Sequence, residues 1–178
     1  SWINPDEKLA KKSFENYLLE GSMEAINQVC AHTGEDSVNL AGAPVVFAGY
    51  GVDAPERKRN DFAGMDVKGK VVIVLINDPD FESGKGDFGG KAMTYYGRWT
   101  YKYEEAARRG AAGALVIHEV APAAYGWETV KNSNTSAVFD VQRDDPRAAH
   151  VPVEGWIQRD AAALLLQVID QLPLQRRA

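Results

Sequence analysis

Thiols and imidazoles are scarce: one cysteine, Cys30, and three histidines, His32, His118 and His150, serve 178 residues. A lone thiol closes no internal disulfide and is too few for a thiolate metal site. None of the histidines falls in a metal-ligand spacing, and no GxSxG elbow presents a nucleophilic serine. Cys30 and His32 stand too close in sequence to share one helix face, so a Cys–His catalytic pair lacks support. Long apolar runs are missing too. None approaches a membrane span, and neither a transmembrane helix nor a signal peptide is expected here. Positive charge is also short, with 20 Lys and Arg against 25 Asp and Glu and a net charge of −5. Nucleic acid and anionic membrane are therefore unsuited as partners. The clusters Arg57-Lys58-Arg59 and Arg176-Arg177 read as solvated surface.

What is present is most legible between Thr94 and Glu119, TYYGRWTYKYEEAARRGAAGALVIHE. Trp99, Tyr103, Ala106 and Ala107 fall at i, i+4, i+7 and i+8, one face of a helix. Glu104 and Glu105 each precede an arginine by four residues, the orientation that helps a helix. Gly110 supplies the left-handed residue that stops it. Ala114 to His118, ALVIH, then reads as a strand covered on both faces, with Val71 to Ile76, VVIVLI, as its parallel partner through a right-handed crossover. Further strands are expected at Val45 to Val52, Ala137 to Val141 and Val151 to Ile157, the last at a sheet edge because of Pro152. Asn4-Pro5-Asp6-Glu7 opens a helix with an apolar stripe at Leu9, Phe14, Tyr17 and Leu18. Ser22 caps a second short helix through Met23, Ile26, Val29 and Cys30. Asp160 starts a last helix that buries Ala162, Leu165, Leu166 and Ile169 and ends at Pro173.

Three short patterns imitate ligand sites and fail on context. GYGVDA, with Gly49, Gly51 and Ala54, meets a relaxed dinucleotide fingerprint, but Pro55 and a charged loop follow where a helix should receive the pyrophosphate. GMDVKGKV puts Val71 where a phosphate loop needs Ser or Thr, so Asp66 to Lys70 is a turn into the next strand. Asp78, Asp80 and Glu82 alternate like the start of a calcium loop, yet Ser83 and Gly89 occupy the positions of its glycine and bidentate glutamate. These acids remain a minor metal-site candidate. The loop Asn77 to Gly97 is long enough to be a flexible flap.

Four segments carry a family resemblance: Val45 to Glu56, Asn60 to Phe81, Tyr95 to Glu119 and Tyr125 to Ser133. In their order and spacing they resemble the protease-associated (PA) domain in the version carried by M28-type zinc aminopeptidases, over roughly Pro44 to Leu166. The chain departs from the pattern at Arg59, where members often carry an aromatic. The resemblance implies an α/β fold, a swivelling β/β/α domain built as a mixed β-sandwich or open barrel flanked by helices. It divides the chain into an N-terminal helical flank, 1–43, the PA domain, 44–172, and a tail, 173–178. The flank is either part of the parent enzyme or an addition to the domain. It also implies a parent peptidase that binds two zinc ions in its own catalytic domain, with no cofactor in this segment, and an extracellular or periplasmic location.

Two functions of different class follow, with a third behind them. In the first, the segment is a non-catalytic lid or interaction module whose partners are the parent's catalytic domain and peptide substrates. Tyr95, Tyr96, Arg98 and Trp99 would overhang the catalytic cleft, since aromatics and arginine dominate recognition surfaces. Tyr125 and Trp127 are further candidates, although for Trp127 a loop folded back on its own core is the preferred account. In the second, the segment is a small hydrolase with its site at the strand ends near Asp78, Asp80, His118 and Glu119. The third is a structural spacer.

Overall fold

The computed structural model describes residues 29–32, 38–40, 42–133, 144–145 and 147–171. The helices expected from Asn4 and Ser22 as far as Gln28, the strand at Ala137 to Val141, the stop at Pro173 and the tail lie outside the described residues. Within them, five strands form one sheet in the order β1-β7-β6-β5-β2. These are β1 (Val29–His32), β2 (Val45–Phe47), β5 (Val71–Leu75), β6 (Gly113–His118) and β7 (Glu154–Gln158). All neighbours are parallel except β1, which runs antiparallel to β7. A ribbon of β3 (Asp53–Ala54) and β4 (Arg59–Asn60) stands apart. The helices are α1 (Trp99–Arg108), α2 (Val120–Ala123), α3 (Trp127–Ser133) and α4 (Arg159–Gln171). The result is a mixed α/β fold with an open, largely parallel sheet flanked by helices.

The expected β5–α1–β6 unit is there, and both strands are buried along their length, apart from the half-buried Leu75. Side chains alternate between two cores, as the two-residue period of a strand requires. Val72, Val74, Ala114, Val116 and Trp156 meet Tyr103 and Ala106 of α1 on one face. Val71, Ile73, Leu115, Ile117 and Ile157 meet Ala161, Ala162 and Leu165 of α4 on the other. Burying each large aliphatic side chain there stabilises the fold by roughly 1.5–3 kcal/mol. Tyr103 also donates its hydroxyl to the Gly155 carbonyl at 2.8 Å, which ties α1 to β7. Gly110 takes φ +71° after α1, the left-handed stop its position predicts.

Four expectations change. Val29 and Cys30 lie in β1 and not in a helix, because the strand pairs residue by residue with β7 from Val29 opposite Ile157 to His32 opposite Glu154. That pairing makes β7 an interior strand, so Pro152 marks no edge; it precedes the ladder and removes no hydrogen bond from it. β2 ends at Phe47, because Gly49 and Gly51 adopt φ +56° and +61° and turn the chain toward β3. Gly51 has no alternative, since a Cβ there would stand 2.6 Å from Val74 Cγ1. Trp127 to Ser133, read as loop, is helix α3.

Candidate functional site

The long loop at the carboxyl edge of the sheet is arranged by Asn77 and Asp78, just beyond the end of β5. Asn77 turns the chain with φ +72° and donates its side-chain amide to the Pro122 carbonyl at 2.7 Å. Its backbone N–H donates to Gly97 O at 3.0 Å, closing the long loop at its neck. Asp78 is fully buried, and its carboxylate accepts the Thr94 N–H at 2.6 Å and the Thr94 hydroxyl at 2.8 Å. Gly97 sits directly on that carboxylate: a Cβ would approach Asp78 Cγ to 2.9 Å and Met93 Cγ to 2.8 Å. Asp80 shapes the loop tip, with its Oδ2 accepting the Phe88 N–H at 2.9 Å. Its Oδ1 is buried without a partner, and one free oxygen is far from the six to eight that calcium needs. Glu82 is exposed. Among the described residues no three His, Cys, Asp or Glu side chains come together as metal ligands. The loop is folded around its carboxylates, which serve its own backbone.

On this base stands a short 3-10 turn, Tyr95–Gly97, leading through Arg98 into α1. Tyr101 is the platform beneath it, with ring centroids 5.8 Å from Tyr95 and 4.9 Å from Tyr96, both edge-on. The Tyr95 hydroxyl donates to Glu104 at 2.7 Å, and the Tyr96 hydroxyl to Glu56 at 2.8 Å. Each carboxylate acceptor raises the pKa of the phenol it holds, with desolvation adding to the effect. Burial pushes the Tyr101 hydroxyl up to about 12. Tyr96 is half-buried between Tyr101, Phe88 and the Arg57 guanidinium, which lies 5.3 Å from its ring centre. Tyr95, Arg98 and Trp99 face outward, Tyr95 at 53% and Trp99 at 41% exposure, and Trp99 rests on Tyr103 at 5.7 Å.

Tyr125 and Trp127 belong to a different cluster. Both rings pack on His118 at the end of β6, at 5.8 Å and 5.5 Å, and Tyr125 also meets Trp156 at 6.1 Å. The Tyr125 carbonyl lies 2.9 Å from His118 Nε2, so the segment folds back over the core. Burial raises the Tyr125 pKa. The acids of the hydrolase reading are held separately: Asp78 by Thr94, Asp80 by Phe88, and Glu119 by Arg159 at 2.8 Å.

One residue of this edge has no counterpart among the sequence-based candidates. Lys102 is only 2% exposed, and its Nζ donates to Tyr50 O at 2.5 Å and Asn77 O at 3.1 Å. Desolvation draws its pKa down to about 7, against the opposing pull of Asp78 and Asp61. A neutral amine has two N–H groups for these two carbonyls, so both donors of the uncharged form are satisfied. The link fastens α1 to the turns after β2 and β5. A signal was available: Lys102 lies three residues after Trp99 and four before Ala106, inside the apolar stripe of the helix.

A solved aminopeptidase from Aneurinibacillus sp. strain AM-1 is similar over 82% of this chain and 28% of its own, with 17% identity and a TM-score of 0.36. A poly(3-hydroxyalkanoate) polymerase of Methylorubrum extorquens is 48% identical over 42 residues, which is 24% of this chain and 7% of the polymerase. The chain thus spans only a minor part of either protein. The family model of the PA domain, by contrast, matches residues 40–164, from the approach to β2 into α4. With most of its length matched, this chain belongs to the PA, or protease-associated, domain family.

Proposed function

We propose that this PA domain is a non-catalytic lid or interaction module of a secreted M28-type zinc aminopeptidase. Family membership supports a proteolytic setting, and the M28 character of the parent rests on the sequence segments Val45 to Glu56, Asn60 to Phe81, Tyr95 to Glu119 and Tyr125 to Ser133. The observation that carries the lid role is the Tyr95–Trp99 ridge. It offers Tyr95, Arg98 and Trp99 to an incoming surface, yet is pinned from below by Asp78, Gly97 and Tyr101. A recognition element gains from such preorganisation, because little side-chain or loop freedom is left to lose on contact. Its partners would be the catalytic domain of the parent and the peptides that enter the cleft. The zinc ions would be held by that catalytic domain; in this segment His118 and His150 are occupied by Tyr125 and Glu154. The reading places the parent in the periplasm or outside the cell, and no described helix is long and apolar enough to cross a membrane.

The test is aminopeptidase turnover on a panel of aminoacyl chromogenic substrates with added zinc, comparing this domain alone with the full-length parent. Activity in the parent only, with a changed substrate profile in its Tyr95→Ala and Trp99→Ala variants, is the expected result. Zinc-dependent turnover by the domain alone would overturn the reading.

A further inference from the structure

We infer that Arg98 receives an acidic side chain of the peptide substrate, so that the ridge biases the parent enzyme toward carboxylate-bearing peptides. The inference rests on the lid reading and names the substrate class of the same surface. Among the described residues Arg98 is the one arginine whose guanidinium has no hydrogen-bond or ion-pair partner. Arg57 has Glu56, Arg59 has Asp61, Arg108 and Arg109 share Glu105, Arg159 has Glu119, and Arg147 is engaged. The acids that hold the ridge and its supports are engaged with other groups. Glu56 accepts from Tyr96, Glu104 from Tyr95, Asp53 from Arg109 and Asp78 from Thr94. A chain with a net charge of −5 therefore leaves an uncompensated cation at the ridge.

Arg98 stands in the chain between the exposed Tyr95 and the exposed Trp99. The Arg98 N–H donates to Tyr95 O at 3.1 Å, which closes the 3-10 turn and fixes the backbone from which the arginine projects. A free guanidinium on the same exposed ridge as two aromatic side chains suits a carboxylate carried on a short apolar stem, and its planar fork can hold both oxygens. In open solvent such a pair contributes little, but closure of a lid removes water and strengthens it.

The experiment uses the full-length zinc-loaded parent and amidated peptides that share one N-terminal residue and differ only by Glu or Gln downstream. Amidation removes the terminal carboxylate, and a third peptide, with Gln and a free C-terminus, reports on that source. The Glu-to-Gln ratio of kcat/KM is expected to fall about fivefold to tenfold in Arg98→Ala, to survive in part in Arg98→Lys, and to invert in Arg98→Glu. A ratio unmoved by Arg98→Ala overturns the inference, as does a loss confined to the free C-terminal peptide. If Tyr95→Ala and Trp99→Ala still change turnover while the ratio stays fixed, the acidic preference fails and the lid stands. If those two variants change nothing on any peptide, the lid reading fails with it.

Discussion

Two aromatic clusters crown the same sheet edge and do opposite things with the same residue types. Around His118, the rings of Tyr125, Trp127 and Trp156 turn inward and complete the core over β6 and β7. Around Tyr101, the rings of Tyr95 and Tyr96 stand on a platform, with their hydroxyls held at the surface by Glu104 and Glu56. The difference lies in what supports each. The first is closed by apolar neighbours and a backbone carbonyl, whereas the second is raised on buried polar groups, Asp78 and Lys102, that order backbone rather than fill volume. Aromatic residues near strand ends therefore do not by themselves mark a recognition surface; their support decides.

The largest effect should come from breaking the inward cluster. Trp156→Ala empties a site only 6% exposed and should lower unfolding free energy by about 3–5 kcal/mol in urea titrations, while Tyr95→Ala should stay within about 1 kcal/mol. Equal losses at the two would erase the distinction between the clusters.

Next comes the polar support. Asp78→Asn replaces an acceptor-only carboxylate with an amide facing the two Thr94 donors. It should cost about 1–3 kcal/mol and speed hydrogen exchange in residues 77–97 ahead of the sheet. Uniform exchange across both regions would show that the loop has no separate foundation.

Lys102 predicts a slope with pH. Its folded pKa of about 7 lies below the ordinary 10.5, so between these values the unfolded chain binds more protons than the folded one. Stability should therefore rise with pH across that window, by at most about 1.4 kcal/mol per pH unit. The buried Tyr101 acts in reverse above pH 10, since its hydroxyl stays protonated in the fold up to about 12. The curve should climb from neutrality and turn over near pH 10. Lys102→Met should flatten the climb and leave the alkaline fall; a curve unchanged by the substitution would contradict the buried neutral amine.

The smallest effect is expected for Tyr95→Phe. It removes an exposed hydroxyl bond to Glu104 and should change melting by less than about 0.5 kcal/mol, as measured by thermal unfolding.

The parallel β5–α1–β6 unit was legible because its signals were local and redundant: uninterrupted apolar strands, a helix with one apolar face, and Gly110 at its end. β1 was not, since Val29–His32 becomes a strand only through pairing with β7, more than a hundred residues away. The edge assignment of β7 failed for the same reason, as it depends on a partner that local patterning does not reveal. Within the candidate site, Tyr95 and Arg98 could be named from residue type and position before a helix, and Trp99 from its type alone, since its place on the apolar face of α1 argued for burial while it is 41% exposed. Their foundations could not. Asp78 was a minor metal candidate through its alternation with Asp80 and Glu82, because a carboxylate serving the Thr94 backbone and hydroxyl is indistinguishable, in sequence, from one awaiting a cation. Lys102 was hidden among the charges of α1, although its spacing to Trp99 and Ala106 placed it in the apolar stripe.

The most direct test of the lid assignment is kcat/KM of the full-length parent carrying Tyr95→Ala together with Trp99→Ala, measured on peptides after unfolding curves show the domain intact. The account predicts a loss of about tenfold or more with unchanged stability. Wild-type turnover on every peptide by the intact double variant would contradict it.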